Sequence, residues 1–351
     1  MNRQGQPGRS SAPLEWIEIK GEQGLRIVCS TRGASWLSCQ VPVGGDRREV
    51  LLGGSTPSNS TANSYMGATV GRYANRIARG QFTLGSRPVR LETNQGCHTL
   101  HGGPSGFDRR CWHLAERTPH SVLFELESPD GDQGFPGNLQ ASARYTVTAQ
   151  QTVQVTYRAT TDSATPVNLS NHAYFNLLDA SGGSRGLEHR LQIHADHYLP
   201  VDAEGIPASG LQSVEATPFD FRYCRVIGSL SADAGYDHAF LLQMNEPLLA
   251  RPALSLIAPD DSLKLQVFTT KPALQLYTGR WLEGTVNRSG TPYPAFAGIA
   301  LETQFLPDSP NHPEWQPSCI LRPGEIYSHT TEFSFLTGDQ YSASAGSREM
   351  K

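Results

Sequence analysis

Hydrophobic and polar residues alternate with a period of two along much of the chain. LEWIEIK from Leu14, RYTVTAQQTVQVTYRATT from Arg144, LKLQVFTT from Leu263 and ALQLYT from Ala273 place apolar side chains at every second position, with Thr, Val, Tyr and Phe prominent. Successive side chains of an extended chain point to opposite faces, so this pattern predicts half-buried strands of the antiparallel type. VPVGGD, SPDGDQGFPGN and LRPGE punctuate the alternation, and 34 Gly and 24 Pro leave few stretches with a helical period. Only the region from Tyr65 to Ile77 suggests a short helix. Many strands, turn signals and almost no crossover helices predict an all-β chain, a large antiparallel β-sandwich or barrel with few short helices. No internal repeat and no long linker divides it. The expected organisation is a disordered tail at 1–12, a single β domain at 13–338 and a second disordered tail at 339–351.

Charge and cysteine usage then remove whole classes of function. The formal net charge is −4 with no block of like charge, and Arg72, Arg76 and Arg79 are too few to track a phosphate backbone, so no nucleic-acid partner is expected. No apolar run reaches the ~20 residues that a membrane helix needs, so no membrane partner is expected either. The N-terminus, MNRQGQPGRSSAPLEW, lacks the roughly 7–15 residue apolar core of a secretory signal. Cys29, Cys39, Cys97, Cys111, Cys224 and Cys319 are scattered without framework spacing, which fits reduced thiols. N-x-S/T matches begin at Asn59, Asn168 and Asn287, and the second falls inside an apolar segment where a glycan has no room. A cytoplasmic, unglycosylated protein is the expectation.

That apolar segment, NLSNHAYFNLLD from Asn168 to Asp179, carries the most chemistry. It holds one imidazole, three asparagine amides, a serine and a phenol among aromatic and aliphatic residues. An unpaired buried amide or ring nitrogen costs about 1–3 kcal/mol, so these groups need partners. A neutral, hydroxyl-rich ligand would supply them, with His172 able to give and take a proton near neutrality. A histidine satisfied by backbone carbonyls inside a β core is the equal alternative. Other motifs lead elsewhere. Gly182 to Gly186 matches G-x-S-x-G, yet an alternating LEHRLQIHA follows where a nucleophile elbow needs a helix. His98 with His101 and His194 with His197 have i,i+3 spacing, which on a strand points to opposite faces, and neither pair brings an obvious third metal ligand. Phosphate-binding and dinucleotide-binding glycine motifs are absent.

Four more segments share the mixed character. Gly71 to Ile77 sets Asn75 and Arg76 beside apolar residues, where an arginine fork holds hydroxyls or bridges a carboxylate. HTLHGGPSGFDRRCW places His101 before two glycines that let a ligand approach the backbone. Asp237 in GYDHAF could accept two hydrogen bonds from a diol, or cap its own loop. Glu302 follows GIAL in an apolar strand, where desolvation would raise its pKa toward that of a useful general base.

VGRYANRIARGQFTL, HTLHGGPSGFDRRCW, DGDQGFPGNL, VNLSNHAYFNL, GYDHAF, LQLYTGRWLEGT and LETQFLPDSPNHPEWQPSCILRPGEIY, in this order, resemble the aldose 1-epimerase (galactose mutarotase) family. The agreement runs from about residue 65 to 335 and is specific because seven separated motifs keep their order. The resemblance implies a galactose mutarotase-like supersandwich with no metal and no organic cofactor, acting on a small-molecule aldose sugar. It implies Glu302 as general base and His172 as general acid in ring opening and reclosure between α and β anomers of free aldohexoses. It also implies Asn75, Arg76, His101, Asp237 and Gln275 as sugar-binding positions, with Tyr174 lining the same pocket. Cys97-His98 and His312 depart from the family pattern at the rim. Two other classes stay open: a glycoside hydrolase using Glu302 and Asp237, and a non-catalytic carbohydrate-binding β-sandwich with Trp281 or Trp315 stacked on sugar. A relative acting on a phosphorylated hexose would need a basic pocket that no segment supplies. A monomer or weak dimer is expected, and the choice between glucose and galactose is not encoded in any motif.

Overall fold

A computed structural model describes residues 14–54, 65–229, 235–243 and 249–338. The two predicted tails and the Asn59 sequon lie outside these residues. Among the described residues every helix is a single 3-10 turn of three residues, and every strand ladder is antiparallel. Nine strands form the largest sheet. Its spatial order is His113–Arg117, Ser121–Ser128, Leu139–Val147, Thr152–Thr161, Tyr327–Thr337, Leu263–Thr269, Leu254–Ile257, Arg190–Ile193 and Arg225–Val226. Six strands form the sheet that matters for chemistry, in the order Tyr174–Phe175, Ile299–Gln304, Ala273–Tyr277, Asp237–Leu241, His197–Leu199 and Gln212–Ser213. A four-stranded sheet, Trp16–Lys20 through Asp46–Glu49, completes the architecture.

The period-two pattern sets which faces meet. Leu139, Ala141, Ala143, Tyr145 and Val147 alternate inward from one strand, and Val153, Val155, Tyr157 and Ala159 from its neighbour. Phe175, Ile299, Leu301, Leu274, Leu276 and Phe240 project from the six-stranded sheet into the same core. Trp36 joins the layers, with its ring 5.9 Å from Phe175 and 5.3 Å from Phe333 in edge contacts. A buried aromatic of this kind contributes heavily, and Trp36→Ala should cost about 3–5 kcal/mol. The stretch from Arg144 to Thr161 is two strands joined by a tight turn, with Val147 opposite Val153.

The helix expected between Tyr65 and Ile77 does not form. Thr69–Val70 and Arg76–Ile77 are strands, and Tyr73 bridges to Asn168. Left-handed backbone at Tyr65, Gly67 and Asn75 breaks any helical run. The polar groups of this segment pair with those of 168–172 instead, Ser170 opposite Val70 and Asn171 opposite Thr69, so tertiary pairing overrides a weak local preference. Gly186–Glu188 is a 3-10 turn and Arg190–Ile193 a strand, which removes the nucleophile elbow as the alternation predicted. All six cysteines are free.

Candidate active site

Strand register brings four of the expected residues to one face of the six-stranded sheet. Gln275 pairs with Glu302, Asp237 with Tyr277 and Tyr174 with Ala300, and paired residues share a face, as do positions two apart. Glu302, Gln275, Asp237 and Tyr174 therefore stand together, with Ala239, Ala273 and Ala300 between them as small floor residues. The opposite face of the same strands carries the core residues Leu274, Leu276, Leu301 and Phe240.

The other four arrive on segments that cross this face. His172 is fixed by its backbone: its N–H donates to the Ala68 carbonyl and its carbonyl accepts from Gly67. Arg76–Ile77 pairs with Thr99–Leu100. His101, next along, has left-handed backbone, donates its N–H to the Asn75 carbonyl and accepts the Asn75 N–H at Nδ1, 3.1 Å away. An acceptor at Nδ1 places the proton of a neutral imidazole on Nε2, so His101 is a donor toward the site. The Asn75 side chain caps the Arg76 N–H at 2.8 Å.

His172 Nε2 and Glu302 Oε1 are 3.5 Å apart, and both residues are almost fully buried, at 4% and 2% exposure. Tyr65 stacks on His172 at 5.6 Å between ring centroids and meets His101 at 4.6 Å, while Tyr174 lies 4.9 Å from His172. His172 Nδ1 and Glu302 Oε2 are buried without a hydrogen-bond partner. Burial, first, and Asp237, second, push the Glu302 carboxyl up to about 8, with Arg76 opposing. Burial also lowers His172 to about 4 and holds His101 well below the ordinary imidazole value. The pair without sugar is thus a neutral acid beside a neutral imidazole, opposite in charge to the carboxylate and imidazolium that the assigned roles require. Both states hold one proton between the two groups, and they differ only by its transfer across 3.5 Å.

The neighbouring polar groups hold one another. Gln275 donates to Asp237 Oδ1 at 2.6 Å, Arg76 lies 3.7 Å from Asp237 Oδ2, and Arg76 Nε donates to Gln95 Oε1 at 2.7 Å. Asp237 Oδ1 is occupied in this way, whereas Oδ2 has only the longer ion-pair contact and the side chain is 41% exposed.

Some residues prove to be structural. Asn168 donates to Ala74 O and accepts from Phe305 N, Asn171 donates to Gly67 O and accepts from Ala173 N, and Asn176 donates to Ser184 O and Ala297 O. The three amides of the 168–179 segment therefore need no ligand. Arg72 turns inward and staples the loop DGDQGFPGN through the carbonyls of Ser128, Pro136 and Gly137. Tyr65, Gln95 and Tyr277 were not singled out as site positions by sequence. Tyr65 lay in the stretch read as helix, and Gln95 in an ordinary polar turn.

His98 and His101 fall into different clusters, each with ligands from distant segments. His101, His172 and Glu302 have ligand atoms within 4.8 Å of one another, as do Cys97, His98 and Glu204. Yet His101 and His98 each accept a backbone N–H at Nδ1, from Asn75 and Arg79, which leaves Nε2 protonated in the neutral ring. A metal-bound imidazole donates from its other nitrogen, so neither set has the second shell that a metal needs. The first set suits a hydroxyl-bearing ligand.

A β-sandwich with a buried histidine–glutamate pair facing polar, donor-rich walls belongs to the mutarotase class of isomerases. A family model described as aldose 1-epimerase matches residues 15–334. The chain is 48% identical over 331 residues to aldose 1-epimerase of Haemophilus influenzae, covering 92% of this chain and 96% of that one. It is 40% identical over 275 residues to galactose mutarotase of Homo sapiens, covering 77% and 79%. Among solved structures, the GalM/aldose epimerase homologue of C. elegans superposes with a TM-score of 0.86 at 29% identity, covering 93% of this chain and 99% of that one. Galactose 1-epimerase from Lactobacillus acidophilus gives 0.80 at 30%, covering 95% and 97%. The chain belongs to the aldose 1-epimerase family.

Proposed function

We propose that this isomerase interconverts the α and β anomers of free aldohexoses, galactose and glucose, with Glu302 and His172 as the proton-transferring pair. The observation that carries the reading is the buried His172–Glu302 contact at 3.5 Å, in which each partner keeps one polar atom unpaired. Glu302 as carboxylate takes the proton of the anomeric hydroxyl. The electrons of that O–H bond form the carbonyl at the anomeric carbon, its bond to the ring oxygen breaks, and His172 delivers a proton to that oxygen. Rotation about the bond to the neighbouring carbon exposes the other carbonyl face. The ring oxygen then closes on it as both protons return. An anomeric hydroxyl donating to Glu302 and a ring oxygen accepting from His172 stabilise the charge-separated form of the pair, so the sugar itself sets the protonation that the reaction uses.

Arg76, Asn75, His101, Asp237 and Gln275 orient the ring through its hydroxyls, and Tyr174 forms an aromatic wall. Mutual contact among Arg76, Asp237, Gln275 and Gln95 keeps these groups in place before sugar arrives. A glycoside hydrolase is disfavoured because the group facing Glu302 is an imidazole and not a second carboxylate. A purely binding sandwich gives no reason for two ionisable groups to be left orphaned in a dry pocket. We take 13–338 as one domain working in the cytoplasm as a monomer or weak dimer, without metal, nucleic acid or membrane. Among the described residues no helix is long and apolar enough to cross a membrane.

Polarimetry on freshly dissolved α-D-galactose and α-D-glucose tests the reading. Wild type should speed the approach to anomeric equilibrium, and Glu302→Gln and His172→Asn should each abolish most of that acceleration. Full activity in Glu302→Gln overturns the assignment of the base.

A further inference from the structure

Cys97 and His98, two of the three rim residues named above, sit in a turn that touches the proposed sugar-binding arginine. Gln95 and His98 exchange backbone hydrogen bonds across this turn, and Gln95 accepts from Arg76 Nε at 2.7 Å. On the other side of Arg76 lies the loop at 201–207. Val201 bridges to Pro207, and Asp202 accepts the N–H groups of Glu204 and Ile206, which gives the loop a fixed shape. At its tip Gly205 has φ +78°, and a Cβ there would stand 2.7 Å from Arg76 Cζ and 2.8 Å from Nε. The loop backbone therefore rests against the guanidinium, and the left-handed φ at this position favours glycine.

Turn and loop are joined by one side-chain contact. His98 is buried, its Nδ1 accepts the Arg79 N–H at 3.0 Å, and its Nε2 faces Glu204 Oε2 at 3.5 Å. With Nδ1 occupied as an acceptor, Nε2–H is the donor to the carboxylate. The Cys97 thiol lies 3.5 Å from the same nitrogen. Cys97, His98 and Glu204 would pass for a metal site by distance alone, but the protonated Nε2 makes the cluster a polar contact of imidazole and carboxylate at 3.5 Å instead.

The geometry points to a clamp on Arg76, formed by the turn carrying Gln95 and the loop carrying Gly205, and fastened by His98–Glu204. Glu204, His98 and Gln95 are positioning residues that hold the guanidinium against Asp237 before sugar binds, and Gly205 sets how closely the loop approaches it. The inference rests on the reading that Arg76 binds substrate. It gives a role to a histidine and a carboxylate that do not reach the reacting atoms.

The test compares KM and kcat for α-D-galactose by polarimetry in wild type, Arg76→Ala, Glu204→Ala, Glu204→Gln, Gly205→Ala and the double variant Arg76→Ala/Glu204→Ala. Glu204 is largely exposed, at 66% of its side chain, so loss of its contact should raise KM only about 2–5-fold, with kcat moving far less. Glu204→Gln keeps an oxygen acceptor for His98 and should recover most of the wild-type KM. Gly205→Ala intrudes on the guanidinium and should raise KM on the order of 10-fold. In the Arg76→Ala background Glu204→Ala should add nothing, because there is no guanidinium left to position. An unchanged KM in Arg76→Ala overturns the substrate-binding reading itself. A raised KM in Arg76→Ala with equal, additive effects of Glu204→Ala in both backgrounds overturns the clamp alone.

Discussion

Among the described residues two histidine–glutamate pairs stand at the same spacing in very different surroundings. His172 and Glu302 approach to 3.5 Å, and so do His98 and Glu204. Glu302 has 3% of its side chain exposed and an oxygen without a partner, whereas 66% of the Glu204 side chain meets solvent. Solvent screens the second pair and leaves it a modest fastener. Desolvation makes the first pair reluctant to carry charge, which is the condition for passing a proton to and from a neutral sugar. Distance does not separate structural from reactive pairs here. Burial and unmet hydrogen bonds do.

The largest effect that separates the pairs is on turnover. Glu302→Gln and His172→Asn should each lower kcat about 10²–10⁴-fold, the range associated with losing one general acid or base. The same chemical change at the exposed pair, Glu204→Gln, should move kcat by no more than a few-fold. A similar loss of kcat from Glu204→Gln, measured by polarimetry under saturating sugar, would erase the distinction between the two pairs.

The pH profile gives the next largest effect. In the proposed mechanism, activity needs one proton shared between Glu302 and His172. Below about 4 His172 takes up a second proton, and above about 8 the pair loses its only one. The profile of kcat/KM should therefore be bell-shaped with a broad optimum between these limits, falling about ten-fold per pH unit on each side. The two limbs belong to the pair and not to either residue. A single limb near the ordinary imidazole value of about 6.5 would show His172 titrating as if solvated.

The contrast also explains what the sequence disclosed. Alternation identified the strands that build both sheets, because a half-buried strand imprints its period on the sequence. The ordered motifs led to all eight candidate residues, and register then placed Glu302, Gln275, Asp237 and Tyr174 on one face. Asn168, Asn171 and Asn176 misled for a physical reason: their partners are main-chain groups from segments remote in sequence, such as Ala74 and Ala297. The contact between His98 and Glu204 left no trace because two loops meet only after the sheets are assembled. Ionisation was equally hidden, being set by how completely the folded chain excludes water.

Stability supplies the smallest difference and the cleanest sign. A carboxyl whose folded pKa is raised, as Glu302 is from 4.5 to about 8, contributes stability that is fully present below its unfolded value and is lost as pH rises toward the folded one. The glutamine variant has nothing to titrate there. Glu302→Gln should therefore be more stable than wild type at pH 7, on the order of 3 kcal/mol, because each pH unit above the unfolded value corresponds to about 1.4 kcal/mol until the folded value is reached. The gap should narrow as pH falls and close near 4.5. His172, lowered from 6.5 to about 4, adds the mirror contribution: its stability is present above 6.5 and is lost as pH drops through about 4. Denaturant melts of wild type, Glu302→Gln and Glu204→Gln at pH 4.5 and 7 measure this directly, with Glu204→Gln expected to show no matching gain. A gain at neutral pH from removing the residue most needed for turnover places Glu302 among groups kept in an unfavourable environment for the sake of their chemistry. Equal melts for wild type and Glu302→Gln at both pH values would mean that Glu302 is as solvated as Glu204, and the two pairs would then differ in position only.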